Sequence, residues 1–148
     1  FYNNFYIFVG YKNKNYEKNK YIEVGATTPL SKFELIIKKY YPDFDRILKR
    51  YGSVQIRNVA TLAGNIATAS PIGDSLPLLL SLDASISIES FNKKLTIPLK
   101  DFFIGYRKTK LKKGYFISSI KIPIFKKNIF KAYKISKRID DDISSVCA

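Results

Sequence analysis

Arg57-Asn58-Val59-Ala60-Thr61-Leu62-Ala63-Gly64-Asn65-Ile66-Ala67-Thr68-Ala69-Ser70-Pro71-Ile72-Gly73-Asp74 is the stretch on which the reading of this chain turns. It is too apolar for a solvent loop, yet it is rich in small residues and hydroxyls. Small residues let a backbone approach a ligand closely, and hydroxyls offer short hydrogen-bonding groups. The spacing is neither that of a Walker loop nor that of a dinucleotide-binding glycine fingerprint. A cofactor lined largely by main-chain groups suits such a segment.

Upstream, alternation over residues 5–12 and 20–25, separated by the polar stretch 13–19, predicts two strands joined by a turn. Thr28 and Pro29 then fit an N-cap and a first helical position, with Leu30, Phe33, Ile37 and Tyr40 at helical spacing. A second helix begins at Pro42. It has Asp43 and Asp45 in its first turn, an apolar face of Phe44, Ile47, Leu48 and Tyr51, Lys49 and Arg50 in its last turn, and Gly52 as a left-handed cap.

Downstream of Asp74, Leu76 to Leu82 is apolar nearly all round and predicts a buried helix. Ile86 and Ile88, then Leu95 and Ile97, read as a strand pair around Ser90-Phe91-Asn92-Lys93. Ile120, Ile122 and Ile124 alternate with Ser119, Lys121 and Pro123 as a half-buried strand, which places Ile117 on its polar side. Interspersed strands and helices, with no internal repeat, predict an α+β fold.

The 148 residues, 46% of them hydrophobic, suffice for one real core. No apolar run approaches the roughly 20 residues of a membrane span, and residues 1–4 lack the features of a secretion signal. A soluble, cytoplasmic chain is the expectation. The absence of Met, and an end at Cys147-Ala148 without a polar tail, suggest a sequence cut at both ends.

With no His and a single cysteine, Cys147, metal chemistry is not expected in this chain, and Cys147 is assigned no role. The 26 basic against 12 acidic residues give a formal charge of +14, which would suit a nucleic-acid or polyanion-binding module. The lysines are spread through turns and helix faces, however, as solvated surface charges are.

Three segments carry a family resemblance: residues 57–74, Phe102-Phe103-Ile104-Gly105-Tyr106-Arg107-Lys108-Thr109, and Lys134-Ile135-Ser136-Lys137-Arg138-Ile139-Asp140-Asp141-Asp142-Ile143. In that order they resemble the FAD-binding (PCMH-type) domain of the xanthine dehydrogenase family of molybdenum hydroxylases. The wording of residues 70–75 and 134–138 is most like the small, FAD-carrying subunit of its bacterial members. The resemblance implies the second α/β subdomain of the FAD domain over residues 1–124, and the start of a carbon monoxide dehydrogenase flavoprotein C-terminal-like domain over 125–148.

It also implies an oxidoreductase in which electrons pass from iron-sulfur clusters through FAD to NAD. The clusters and the molybdenum cofactor would lie in a partner domain and subunit outside this chain. Carried over by position, Tyr51 is an aromatic wall of the FAD pocket. Thr61, Leu62, Ala63, Gly64 and Asn65 form a cofactor-binding loop, Asp74 accepts hydrogen bonds from FAD hydroxyls, Ile117 touches the isoalloxazine ring, and Lys134 reaches the cofactor.

Plainer roles stand beside these. Tyr51 would close the apolar face of its helix, Asp74 would cap the next helix, and Asp140-Asp141-Asp142 would be a solvated turn instead of a surface near the NAD approach. Two departures from the family pattern are visible. Ala63 replaces a glycine common in that loop, and the Gly-rich loop that holds the FAD pyrophosphate has no counterpart before Tyr21.

Overall fold

A computed structural model describes residues 7–11, 20–125, 129–139 and 142–148; the expected turn at 13–19 and Asp140 and Asp141 lie outside them. The elements run β1 Ile7–Tyr11, β2 Lys20–Gly25, α1 Leu30–Ile37, α2 Pro42–Leu48, α3 Val54–Val59, α4 Leu62–Thr68 and α5 Ser75–Ser81. They continue as β3 Ser85–Glu89, β4 Lys94–Pro98, a 3-10 turn at Leu99–Asp101, β5 Phe103–Gly105, β6 Lys108–Thr109, β7 Phe116–Pro123, β8 Lys134–Ile135 and β9 Val146–Cys147. The α+β expectation holds.

Five strands form one antiparallel sheet in the order β1-β2-β7-β3-β4. Ile22, Val24, Ile86, Ile120 and Ile122 are fully buried and join Leu30, Phe33, Ile37, Phe44, Leu62, Ile66 and Leu79 in a single core. Burying side chains of this size is worth about 1.5–3 kcal/mol each before entropy is counted. The alternate residues of β2 and β7 are polar and satisfy one another. Ser119 donates to Glu23 at 2.7 Å, and Lys121 lies 5.2 Å from the centre of the Tyr21 ring.

The strand β7 departs from simple alternation. Ser87 pairs with Ser119 but Ile88 pairs with Ile117, so Ser118 is an extra residue on β7. A bulge of this kind flips the side-chain faces beyond it. Ile117 therefore turns into the core, 5% exposed, instead of lying on the polar side of the strand.

Two further expectations are corrected. Pro29 stands at the N-cap of α1 with extended backbone, because it bridges to Thr61, while Thr28 is buried behind it. Tyr40 leaves the apolar face because α1 ends at Ile37. Tyr41 is the buried ring instead, donating its hydroxyl to the Pro123 carbonyl at 2.6 Å. The start and buried face of α2 are as expected, with Pro42 in the first turn and Phe44, Ile47 and Leu48 buried. The helix ends at Leu48, however, so Arg46 stands in its last turn, Lys49 is the C-cap, and Arg50, Tyr51 and the left-handed Gly52 (φ +64°) lie in the turn beyond it. The burial of Leu76, Leu78 and Leu79 on α5 and the β3–β4 pair also match their patterns.

Candidate functional site

Residues 57–59 end the short helix α3, and residues 61–65, expected as a cofactor-binding loop, cap and open the short helix α4. Ser53 caps α3 by accepting from the Ile56 amide, and Thr61 caps α4 by accepting from the Gly64 amide at 3.0 Å. Such caps satisfy amides that the first helical turn leaves orphaned. The segment's small residues thus serve helix packing as well as ligand approach. Leu62 and Ala63 face the core, whereas Gly64, Asn65 and Thr68 face a cleft. Ala63 has helical backbone, so a glycine's freedom is not required there.

That cleft, about 570 Å³, brings together residues distant in sequence: Tyr51, Thr61, Gly64, Asn65, Asp74 and Lys134. Six of the nine residues expected at a cofactor site line it. The other three, Leu62, Ala63 and Ile117, belong to the core. For Ile117 the reason is the bulge at Ser118; for Leu62 and Ala63 it is the helical period of α4.

A chain of hydrogen bonds runs along the cleft wall. Ser75 donates to the Asn65 side-chain oxygen, and the Asn65 amide donates to the Tyr51 hydroxyl at 2.7 Å. Tyr51 is half-buried. Burial raises its phenol above the usual value and the Asp74 carboxylate raises it further, while the bond from Asn65 opposes them. The ring is thus a neutral wall with a fixed orientation at physiological pH.

Asp74 occupies the N-cap position of α5 but makes no side-chain cap. Its carboxylate accepts instead from Lys134 at 2.6 Å and from the Ser144 hydroxyl. Both charges are almost wholly buried, with side chains 4% and 2% exposed. Lys134 donates a second bond to the Asp142 carbonyl at 2.8 Å, and Asp142 accepts from the Arg138 and Ile143 amides. A buried pair persists only when the remaining polar capacity is also met, and here it is. The pair ties β8 to the end of the 57–74 stretch.

Arg50 reinforces that tie, donating to the carbonyls of Lys134 and Ile139 and to the Ser136 hydroxyl, all within 2.9 Å. Sequence reasoning gave Arg50 only the role of a charge in the last turn of α2 and gave Ser75 and Ser144 none, since their partners are distant in sequence. Cys147 is half-buried, with its thiol raised by burial and turned toward the Asp74 carbonyl at 3.7 Å.

These residues fit a flavin dinucleotide. The cleft has an aromatic wall, a flank of glycines and hydroxyls and, among the described residues, one ammonium, which donates to Asp74 and to the Asp142 carbonyl. Gly73 keeps that flank tight, since a Cβ there would sit 3.1 Å from the Asn65 side chain.

Comparison with known proteins agrees. Residues 12–125 match the family model described as FAD binding domain in molybdopterin dehydrogenase. A xanthine dehydrogenase of Blastobotrys adeninivorans is 41% identical over 93% of this chain, and a nicotinate hydroxylase of Emericella nidulans is 48% identical over 70% of it. The chain spans 11% and 8% of those proteins. Among solved structures, a carbon monoxide dehydrogenase of Hydrogenophaga pseudoflava superposes with a TM-score of 0.78 at 24% identity, over 87% of this chain and 46% of that one, a likeness of fold. With the family model covering most of its length, this chain belongs to the FAD-binding domain family of the molybdopterin dehydrogenases.

Proposed function

We propose that the cleft between α3, α4 and the segment after β8 binds FAD in a xanthine dehydrogenase-type oxidoreductase. Electrons would arrive from iron-sulfur clusters and a molybdenum-cofactor subunit and leave to NAD. In this reading residues 1–124 belong to the FAD-binding domain and 125–148 open the next one. The observation that carries it is the convergence of Tyr51, Thr61, Gly64, Asn65, Asp74 and Lys134 on one cleft.

Bound FAD supplies two-electron chemistry in exchange with a nicotinamide. The chain's residues supply binding and orientation. Tyr51 offers a ring face held by Asn65, and Asp74 offers remaining acceptor capacity beside Ser144. Lys134 is the cation among the described lining residues and donates to Asp74 and to the Asp142 carbonyl. Ile117 would act through the core that backs the cleft. The test is flavin stripping of the holoprotein. NAD reduction should stop when FAD is removed and return when it is restored, and undiminished NAD reduction by flavin-free protein would overturn the reading.

A further inference from the structure

We propose that Arg57 is a positioning residue of this site, holding the Tyr51 wall in place from behind; the inference rests on the FAD reading of the cleft. Arg57 is not among the residues that line the cleft. Its side chain, 12% exposed, lies on α3, a helix with no buried residue that exposes Val54, Ile56 and Val59. Hydrophobic burial therefore does not hold α3, and Arg57 supplies an anchor.

The anchoring is specific. One guanidinium nitrogen donates to the carbonyls of Gly52, at 2.6 Å, and Lys49, at 3.2 Å. The Nε lies 2.8 Å from the Glu34 carboxylate on α1. The two carbonyls bracket Tyr51 in the turn that ends α2, where helix geometry leaves acceptors without intrahelical partners. Gly52 takes a left-handed conformation there, and a Cβ on it would come within 3.0 Å of Ile56, so the turn is pinned on both sides.

A planar fork can serve a carboxylate and two carbonyls at once, whereas a lysine ammonium at the same place has a different reach and no fork. The Arg57 fork thus joins α1, the Tyr51 turn and α3 into the frame from which the Tyr51 hydroxyl meets Asn65. Without it, Glu34 keeps a largely buried charge that has lost its 2.8 Å ion-pair partner and retains the electrostatic influence of Lys49.

The test is a double-mutant cycle on FAD affinity in the holoprotein, using Arg57→Ala and Tyr51→Ala singly and together. Far-UV circular dichroism keeps each titration below that variant's melting temperature. Tyr51→Ala should weaken FAD about tenfold, Arg57→Ala should do nearly the same, and the double variant should be little worse than either, because coupled residues do not add. Arg57→Lys should fall between, and it carries the cycle if Arg57→Ala does not fold. A control of equal charge, Arg46→Ala, removes an exposed guanidinium paired with Asp43 and should leave affinity unchanged.

Weakening by Arg57→Ala of the same size with and without Tyr51 would overturn the proposal, as would no weakening at all. Tyr51→Ala without effect on FAD would instead overturn the assignment of the cleft, and the positioning role with it.

Discussion

The sheet core and the cleft lie back to back in this molecule and are built by opposite means. The core around Ile22, Ile86, Ile117, Ile120 and Ile122 is apolar and held by burial, which is non-directional and tolerant of exchange. The cleft wall is a polar relay, Ser75 to Asn65 to Tyr51 on one side and Ser144 and Lys134 to Asp74 on the other. There each group has a named partner, and losing one strands another. The core sets how stable the chain is, whereas the relay sets where each polar atom stands.

The largest expected effect breaks the relay. Lys134→Met leaves the Asp74 carboxylate buried with Ser144 as its remaining side-chain partner among the described residues, and should cost about 3–5 kcal/mol in urea denaturation. Adding Asp74→Leu should restore most of that stability, since an apolar pair replaces a charged one. FAD retention should not return with it. Recovery of both would mean that the charges serve stability alone.

Next comes the core, at its bulge. Ile117→Ala should cost about 2–4 kcal/mol because the side chain packs within the core, while Ser118→Ala on the same strand should cost under about 1 kcal/mol. Equal costs would place the bulge elsewhere and return Ile117 to the other face.

The smallest effect lies in alkali. Tyr51 and Tyr41 both titrate above the usual tyrosine value, chiefly through burial. The folded state therefore holds these protons more tightly than the unfolded one, and their contribution to stability is full below about pH 10 and is lost as pH rises past it. Tyr51→Phe should flatten part of that decline in melting temperature. An unchanged alkaline slope would show that the Tyr51 hydroxyl is not shielded by the cleft.

Where residues near in sequence decide an element, the sequence is legible. Pro42, the two aspartates behind it and Gly52 mark both ends of α2 and its turn, and Ile86 to Ile97 spell a hairpin. Long-range pairing is less legible. The bulge that turns Ile117 inward depends on β3 lying beside β7, and nothing within β7 reveals it. The same holds for Asp74. As an N-cap it is a local reading, but its partners stand 60 and 70 residues away, and the buried ammonium of Lys134 outcompetes the helix amides. Thr61 illustrates the middle case. Its cap on Gly64 is a local, three-residue spacing, whereas the resemblance implies a cofactor-binding loop over the same residues.

The measurement that bears most directly on the cleft as the FAD site compares two aspartates in the holoprotein. Asp74 is buried in the relay, whereas Asp83, at φ +50°, follows α5 and is absent from the lining of the cleft. FAD retained after washing at moderate salt would be measured for Asp74→Ala and Asp83→Ala, each checked for folding by circular dichroism. A charged hydrogen bond is worth about 1.5–3 kcal/mol, so Asp74→Ala should weaken FAD by about tenfold or more while Asp83→Ala leaves it unchanged. Equal FAD content in the two folded variants would contradict the assignment of the cleft.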